Sequence, residues 1–192
     1  MATTVTKADT VDTAVRSVHS HLMAYAQGLT NDDLMACMFA TWRCGGGALP
    51  DWLGLGEEAF KMMMNHHFPG APYEDVEAGN APPAERGDEI EEIHQLLLMN
   101  RANQSDSEVW VAMVVAIGCM GSDHLWQDLG LWSRSDLTEL MHRNFPTLRN
   151  DKNMKWKKFL YKQLCETEGI YTCRSPSCEV CADYANCFGP ED

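Results

Sequence analysis

Eight cysteines punctuate the chain, at positions 37, 44, 119, 165, 173, 178, 181 and 187, and the last four fall within fifteen residues as CRSPSCEVCADYANC. Their spacing is C-x4-C-x2-C-x5-C. Three chemistries compete for such a cluster. A disulfide knot needs an oxidising compartment, and a chain of this size has no need of staples. A structural zinc site usually presents two cysteine pairs separated by a dozen or more residues, so that two knuckles close a tetrahedron, and no such gap exists here. An iron–sulfur cluster is larger, and one loop can wrap it with ligands at short unequal intervals; C-x4-C-x2-C is also the opening spacing of the plant-type ferredoxin site. The spacing therefore favours an iron–sulfur cluster on Cys173, Cys178, Cys181 and Cys187, with structural zinc as the alternative. Tyr171, Tyr184 and Phe188 are placed to shield the cluster edge from solvent or simply to pack the tail, and Cys165, eight residues upstream, is either a further thiolate or a buried structural cysteine.

Charge adds a second feature. Residues 143–162 carry seven Lys or Arg against the single acid Asp151, in a chain whose formal charge is -13. A basic helix leading into the thiolates would offset cluster charge, attract an oxyanion or dock an acidic partner; otherwise it is a solvated face. The pairs His19/His21 and His66/His67 lack the spacing that puts two ligands on one helix face and read as surface residues. The run Met62 to Met64 points around a helix and reads as gap-filling core. Gly45 to Gly47 lack the Gly-Lys-Ser/Thr of a phosphate cradle and read as a turn.

The elements that must position these groups are helical. Val11, Val15, Val18, Leu22 and Met23 repeat at threes and fours, giving a first helix stopped by Gly28. Thr30 followed by Asp32 and Asp33 reads as an N-cap opening a second helix to about Arg43. Further helices are expected at about 57–67, from Ile90 through Leu98, at 107–120 with an almost wholly apolar surface that makes it central, at 124–129, at 136–144, and at 152–168 with Gly169 beyond its end. Residues 68–88 hold four of the eight prolines and few large apolar groups, which reads as a flexible loop. The acids of 74–92 read as solvated surface. The expected architecture is all-α: a helical domain over 1–169 and an irregular cysteine-rich tail over 170–192.

Composition narrows the function classes. With 192 residues and 45% hydrophobic side chains, a chain of this size can bury about 70% of its unfolded surface. The N-terminal MATTVTKADTVDTAVRS has no apolar block of signal-peptide type, so a cytoplasmic location is expected. The longest apolar stretch, Val109 to Met120, falls short of the ~20 residues a bilayer span needs, so no membrane partner is expected. A pI near 4.8 argues against nucleic acid.

The run MKWKKFLYKQLCETEG at 154–169, the tail CRSPSCEVCADYANCFGPE and the upstream DHLWQDLGLWSRSDLTELM at 123–141 together resemble the NifQ family of nitrogen fixation. The likeness is specific over roughly the last 70 residues and partial before residue 120, around GGGALPDWLGLG. It implies a carrier rather than a turnover enzyme. Such a carrier holds an iron–sulfur cluster of 4Fe-4S or Mo-3Fe-4S type, takes molybdenum originating as molybdate, and passes it to the proteins that assemble the nitrogenase iron-molybdenum cofactor. Carried over by position, the ligands are Cys173, Cys178, Cys181 and Cys187. His124, within this stretch and just after the apolar helix, is the leading non-cysteine ligand candidate beside Cys165, a capping or core role being its alternative. Two other readings keep the same cysteines: a zinc-bearing interaction module, and an electron-transfer iron–sulfur protein without molybdenum.

Overall fold

The computed structural model describes residues 7–73 and 81–167, and no strand occurs among them. Eight helices follow in order: α1 Lys7–Met23, α2 Asp32–Arg43, α3 Glu57–His67, α4 Gly87–Met99, α5 Asp106–Gly118, α6 Leu125–Asp128, α7 Arg134–Asn144 and α8 Trp156–Thr167. The all-α expectation holds for these residues. The tail, and with it Cys173, Cys178, Cys181, Cys187 and Gly169, lies outside the described residues.

Helix α5 is central for the reason its composition gives. Val111, Ala112, Val114, Val115, Ala116 and Ile117 are all buried, so this helix has no solvent face and the others pack around it. Ser105 starts it with a capping box: the Ser105 hydroxyl accepts from the Glu108 amide, and the Glu108 carboxylate accepts from the Ser105 and Asn103 amides. Because that box satisfies donors at the head of the central element, Ser105→Ala is expected to cost about 1 kcal/mol, read as a lower urea midpoint with an unchanged slope.

Helix α2 opens differently from the expected pattern. Its N-cap is Asn31, not Thr30, and the Asn31 side chain makes no cap hydrogen bond, turning inward to Ser107 and Asn144. The Asp32 carboxylate instead accepts from the Leu29 amide at 2.8 Å. Within the span 68–88, expected as loop, Ala84–Arg86 form a short 3-10 turn and α4 starts at Gly87. The three methionines divide: Met63 and Met64 are buried, whereas Met62 is 61% exposed.

The glycine-rich stretch is a turn, as expected, and it docks. Gly47, at φ +74°, brings its backbone so close to the 128–130 loop that a Cβ there would lie 3.0 Å from the Asp128 carbonyl. The Ala48 amide donates to that carbonyl at 2.8 Å, and the Thr41 hydroxyl donates to the Gly130 carbonyl at 2.6 Å. Trp52 and Leu53 follow in the left-handed region, φ 57° and 56°, a conformation costing roughly 1–2 kcal/mol per residue. Full burial of Leu53 and the Trp52 ring packed 5.3 Å from Phe60 offset it.

Candidate metal centre

Helix α8 is the element that delivers the chain to the cysteine tail. Trp156, Phe159 and Leu160 bury one side of it, Trp156 at 1% exposure. A second row at positions 157, 161 and 165 follows helical i, i+4 spacing. Lys157 donates to the Gly121 carbonyl at 2.8 Å and forms an ion pair with the buried Asp128 carboxylate, which also accepts from the Asp123 amide. Gly121 is required there, because a Cβ would sit 2.3–2.5 Å from that carboxyl group. Tyr161 hydrogen-bonds Glu89, and Glu89 is gripped by Arg86, which also donates to the Met120 carbonyl at 2.8 Å. The Arg86 guanidinium holds the Glu89 carboxyl below its usual range, whereas burial and then Glu89 push the Tyr161 hydroxyl up. Glu89, near the end of the acidic stretch 74–92, thus engages α8 through a tyrosine rather than through the lysines.

The basic run divides accordingly. Lys157 is locked against Asp128, Lys162 pairs with Glu166 at 3.4 Å, and Arg143 pairs with Glu139 and the Thr30 carbonyl. Arg149, Lys152 and Lys158 are exposed, Lys155 is half-buried, and none of the four makes an ion pair among the described residues. An open depression of about 710 Å³ beside α7 is lined by Arg134, His142 and Arg143, but both arginines already donate to backbone carbonyls.

The other predicted residues scatter. Cys165 is half-buried on α8. His124 is half-buried at the N-cap of α6, its amide donating to Gln127 Oε1 at 3.2 Å. That geometry gives it a capping place. Cys119 is buried, and burial pushes its thiol up to about 12. Cys44 is half-buried beyond α2. Of the tryptophans near these elements, Trp156 is buried and Trp126 half-buried, whereas Trp132 is 37% exposed and carries the Arg16 guanidinium 4.9 Å above its ring.

Two histidines read as surface residues are not. His67 is fully buried: its Nδ1 faces Asp32 Oδ1 at 2.6 Å and its Nε2 faces Ser107 Oγ at 3.0 Å. The order Asp–His–Ser is that of a hydrolase triad. Ser107 Oγ, however, already accepts from Asn31 Nδ2 at 2.9 Å and is itself buried, so no substrate carbonyl can reach it. Asn144 closes the network onto Asn31. Four regions, the α2 start, α3, α5 and α7, meet in a polar clamp. His19, on α1, is largely covered: its Nε2 lies 3.1 Å from Asp33 Oδ1, and its ring packs 4.8 Å from Trp132. Donor atoms of His19, Asp33 and Cys37 all lie within 4.8 Å of one another. Asp33-x3-Cys37 was the sequence signal available for this group, one carboxylate and one thiol a helical turn apart.

The stretches GGGALPDWLGLG, DHLWQDLG and MKWKK are far apart in the chain yet meet at Asp128, through Gly47, Gly121 and Lys157. Comparison with known proteins places all three stretches inside one family match. The NifQ family model matches residues 34–189. The chain is 46% identical over 162 residues to the protein NifQ of Azotobacter vinelandii, covering 78% of this chain and 83% of that one. It is 34% identical over 149 residues to NifQ of Rhodobacter capsulatus, covering 77% and 81%, and 35% identical over 138 residues to a NifQ homolog of Sinorhizobium fredii, covering 71% and 60%. No solved structure matches. With the Asp128 junction, α8 and the four-cysteine tail all inside the matched span, the chain belongs to the NifQ family.

Proposed function

We propose that this chain, a member of a family of nitrogen fixation, carries an iron–sulfur cluster, takes up molybdenum as cargo and donates it for assembly of the nitrogenase iron-molybdenum cofactor. The supporting observation is that the family match runs through α8 and all four tail cysteines. Thiolate is the soft donor that suits such a cluster, and Cys173, Cys178, Cys181 and Cys187 would hold it. Bound there, the cluster would supply sulfide donors able to hold molybdenum. Three of these four thiolates would hold iron, and a labile ligand on the molybdenum would let that metal leave.

The remaining work falls to the chain itself. Helix α8 is anchored by Asp128 and Glu89, which fixes where the tail departs. Arg149, Lys152, Lys155 and Lys158 keep their charge for an incoming oxyanion or for a negatively charged cluster. Release is to a cofactor-assembly protein in the cytoplasm, so the chain is a donor and no turnover chemistry is required of it.

Anaerobic metal analysis tests the reading. Iron and acid-labile sulfide in near-equal amounts with substoichiometric molybdenum are expected in the purified protein, all lost in Cys178→Ala and Cys181→Ala. Zinc alone would overturn it in favour of a structural knot. Iron and sulfide that never accept molybdenum would make it an electron carrier.

A further inference from the structure

We propose that His19, Asp33 and Cys37 form a second metal site on the α1–α2 hairpin, for a single divalent ion of the zinc class. The group is built as metal sites in helical bundles are, from side chains on facing helices. Asp33 and Cys37 stand one turn apart on α2, and His19 reaches them from α1. Imidazole, carboxylate and thiolate are the three donor types zinc takes, and the thiolate disfavours magnesium and calcium.

The dimensions fit. Zinc bonds of about 2.0–2.3 Å at tetrahedral angles place donor atoms roughly 3.3–3.8 Å apart. The three donors already lie within 4.8 Å of one another, with His19 Nε2 and Asp33 Oδ1 at 3.1 Å. Closure needs only side-chain adjustment. The charges also fit: one carboxylate and one thiolate neutralise a divalent cation, and the proton lost on binding is that of the Cys37 thiol. Arg16, the nearby cation, is drawn off by Asp12 at 3.2 Å and by the Trp132 face. Trp132 against His19 holds the imidazole toward α2. Three protein donors leave a fourth position for water, and Asp33, 66% exposed, marks the side from which it enters.

This site is independent of the tail, and the test keeps the two apart. The full-length chain with Cys173, Cys178, Cys181 and Cys187 all changed to Ser is titrated anaerobically with cobalt(II), then with zinc. A single cobalt ion is expected, with tetrahedral d–d bands and a thiolate-to-cobalt charge-transfer band, displaced by zinc. Cys37→Ser in that background abolishes the charge-transfer band, and His19→Ala and Asp33→Asn each weaken binding at least tenfold, the loss seen even for outer-sphere partners. Asp33 is exposed, so Asp33→Asn decides the matter if a Cys37 variant does not fold. No bound cobalt, or the same band and affinity in the Cys37→Ser or Asp33→Asn chain, overturns the site.

Discussion

Asp128→Ala is expected to destabilise the protein by about 3 kcal/mol, the lower end of what removing one partner of a buried ion pair costs, because Lys157 retains some solvent. The Asp128 side chain is 3% exposed and that of Lys157 18%. Truncation strands the ammonium against the Gly121 carbonyl alone, leaves the Asp123 amide without its acceptor, and opens the space beside Gly121. For a chain of this length the loss corresponds to a fall in Tm of about 6–12 °C. Asp128→Asn keeps the shape and an acceptor for Asp123, so its cost is smaller. A double-mutant cycle with Lys157→Met isolates the pair, with a coupling energy of about 1 kcal/mol or more expected. If Asp128→Ala cost the same in the wild-type chain and in the Lys157→Met chain, the carboxylate would be acting without the lysine. The functional consequence lies one helix further on. Lys157 is near the start of α8 and the cysteines follow its end in the sequence, so a chain whose α8 detaches loses the fixed point from which its cysteine-rich segment continues.

Helix periodicity made most of the scaffold legible, and the reason is visible in α3 and α5. In α3 the expected 57–67 matches the observed Glu57–His67, since Gly56 before it and Pro69 beyond it bound an amphipathic run. In α5 the apolar residues leave no polar face, which only a central position explains. Where local pattern misled, long-range contacts decided. Thr30 satisfies every local rule for an N-cap, but Asn31 takes that place because its side chain is committed to Asn144, 113 residues away. Lys157 is one basic residue among seven in its run, and nothing local marks it as the one driven inward; its partner Asp128 is 29 residues upstream. Sequence spacing sets His19 and His67 only beside neighbours one or two residues away, whereas their partners, Asp33 for the first and Asp32 and Ser107 for the second, come from other helices. The four-cysteine spacing is legible in full because it lies within a single run of fifteen residues.

His67→Ala is expected to cost about 3–4 kcal/mol, because it leaves the buried Asp32 carboxylate facing a cavity and removes one of the two hydrogen-bond partners of Ser107, leaving it Asn31. Asp32 would keep only the Leu29 amide. His67→Asn, whose amide can stand near the position of Nδ1 and donate to Asp32, is expected to recover part of the loss. The clamp also sets a pH dependence. Burial lowers the His67 pKa, against the opposing pull of Asp32, so the native imidazole stays neutral to lower pH than in the unfolded chain. The unfolded state therefore takes up the proton first. The contribution is fully present above the unfolded value of about 6.5 and is lost as pH falls from there toward the depressed native value. Buried His94 is shifted the same way by its own burial and adds to the slope, so the His67 share is the difference between wild type and His67→Asn. Urea midpoints taken at about pH 7.5 and about pH 5.5 should fall more steeply in the wild type than in the variant. Identical slopes would mean that folding leaves the His67 pKa unshifted, and a shallower fall in the wild type would mean that His67 is charged in the native protein and the clamp is an ion pair.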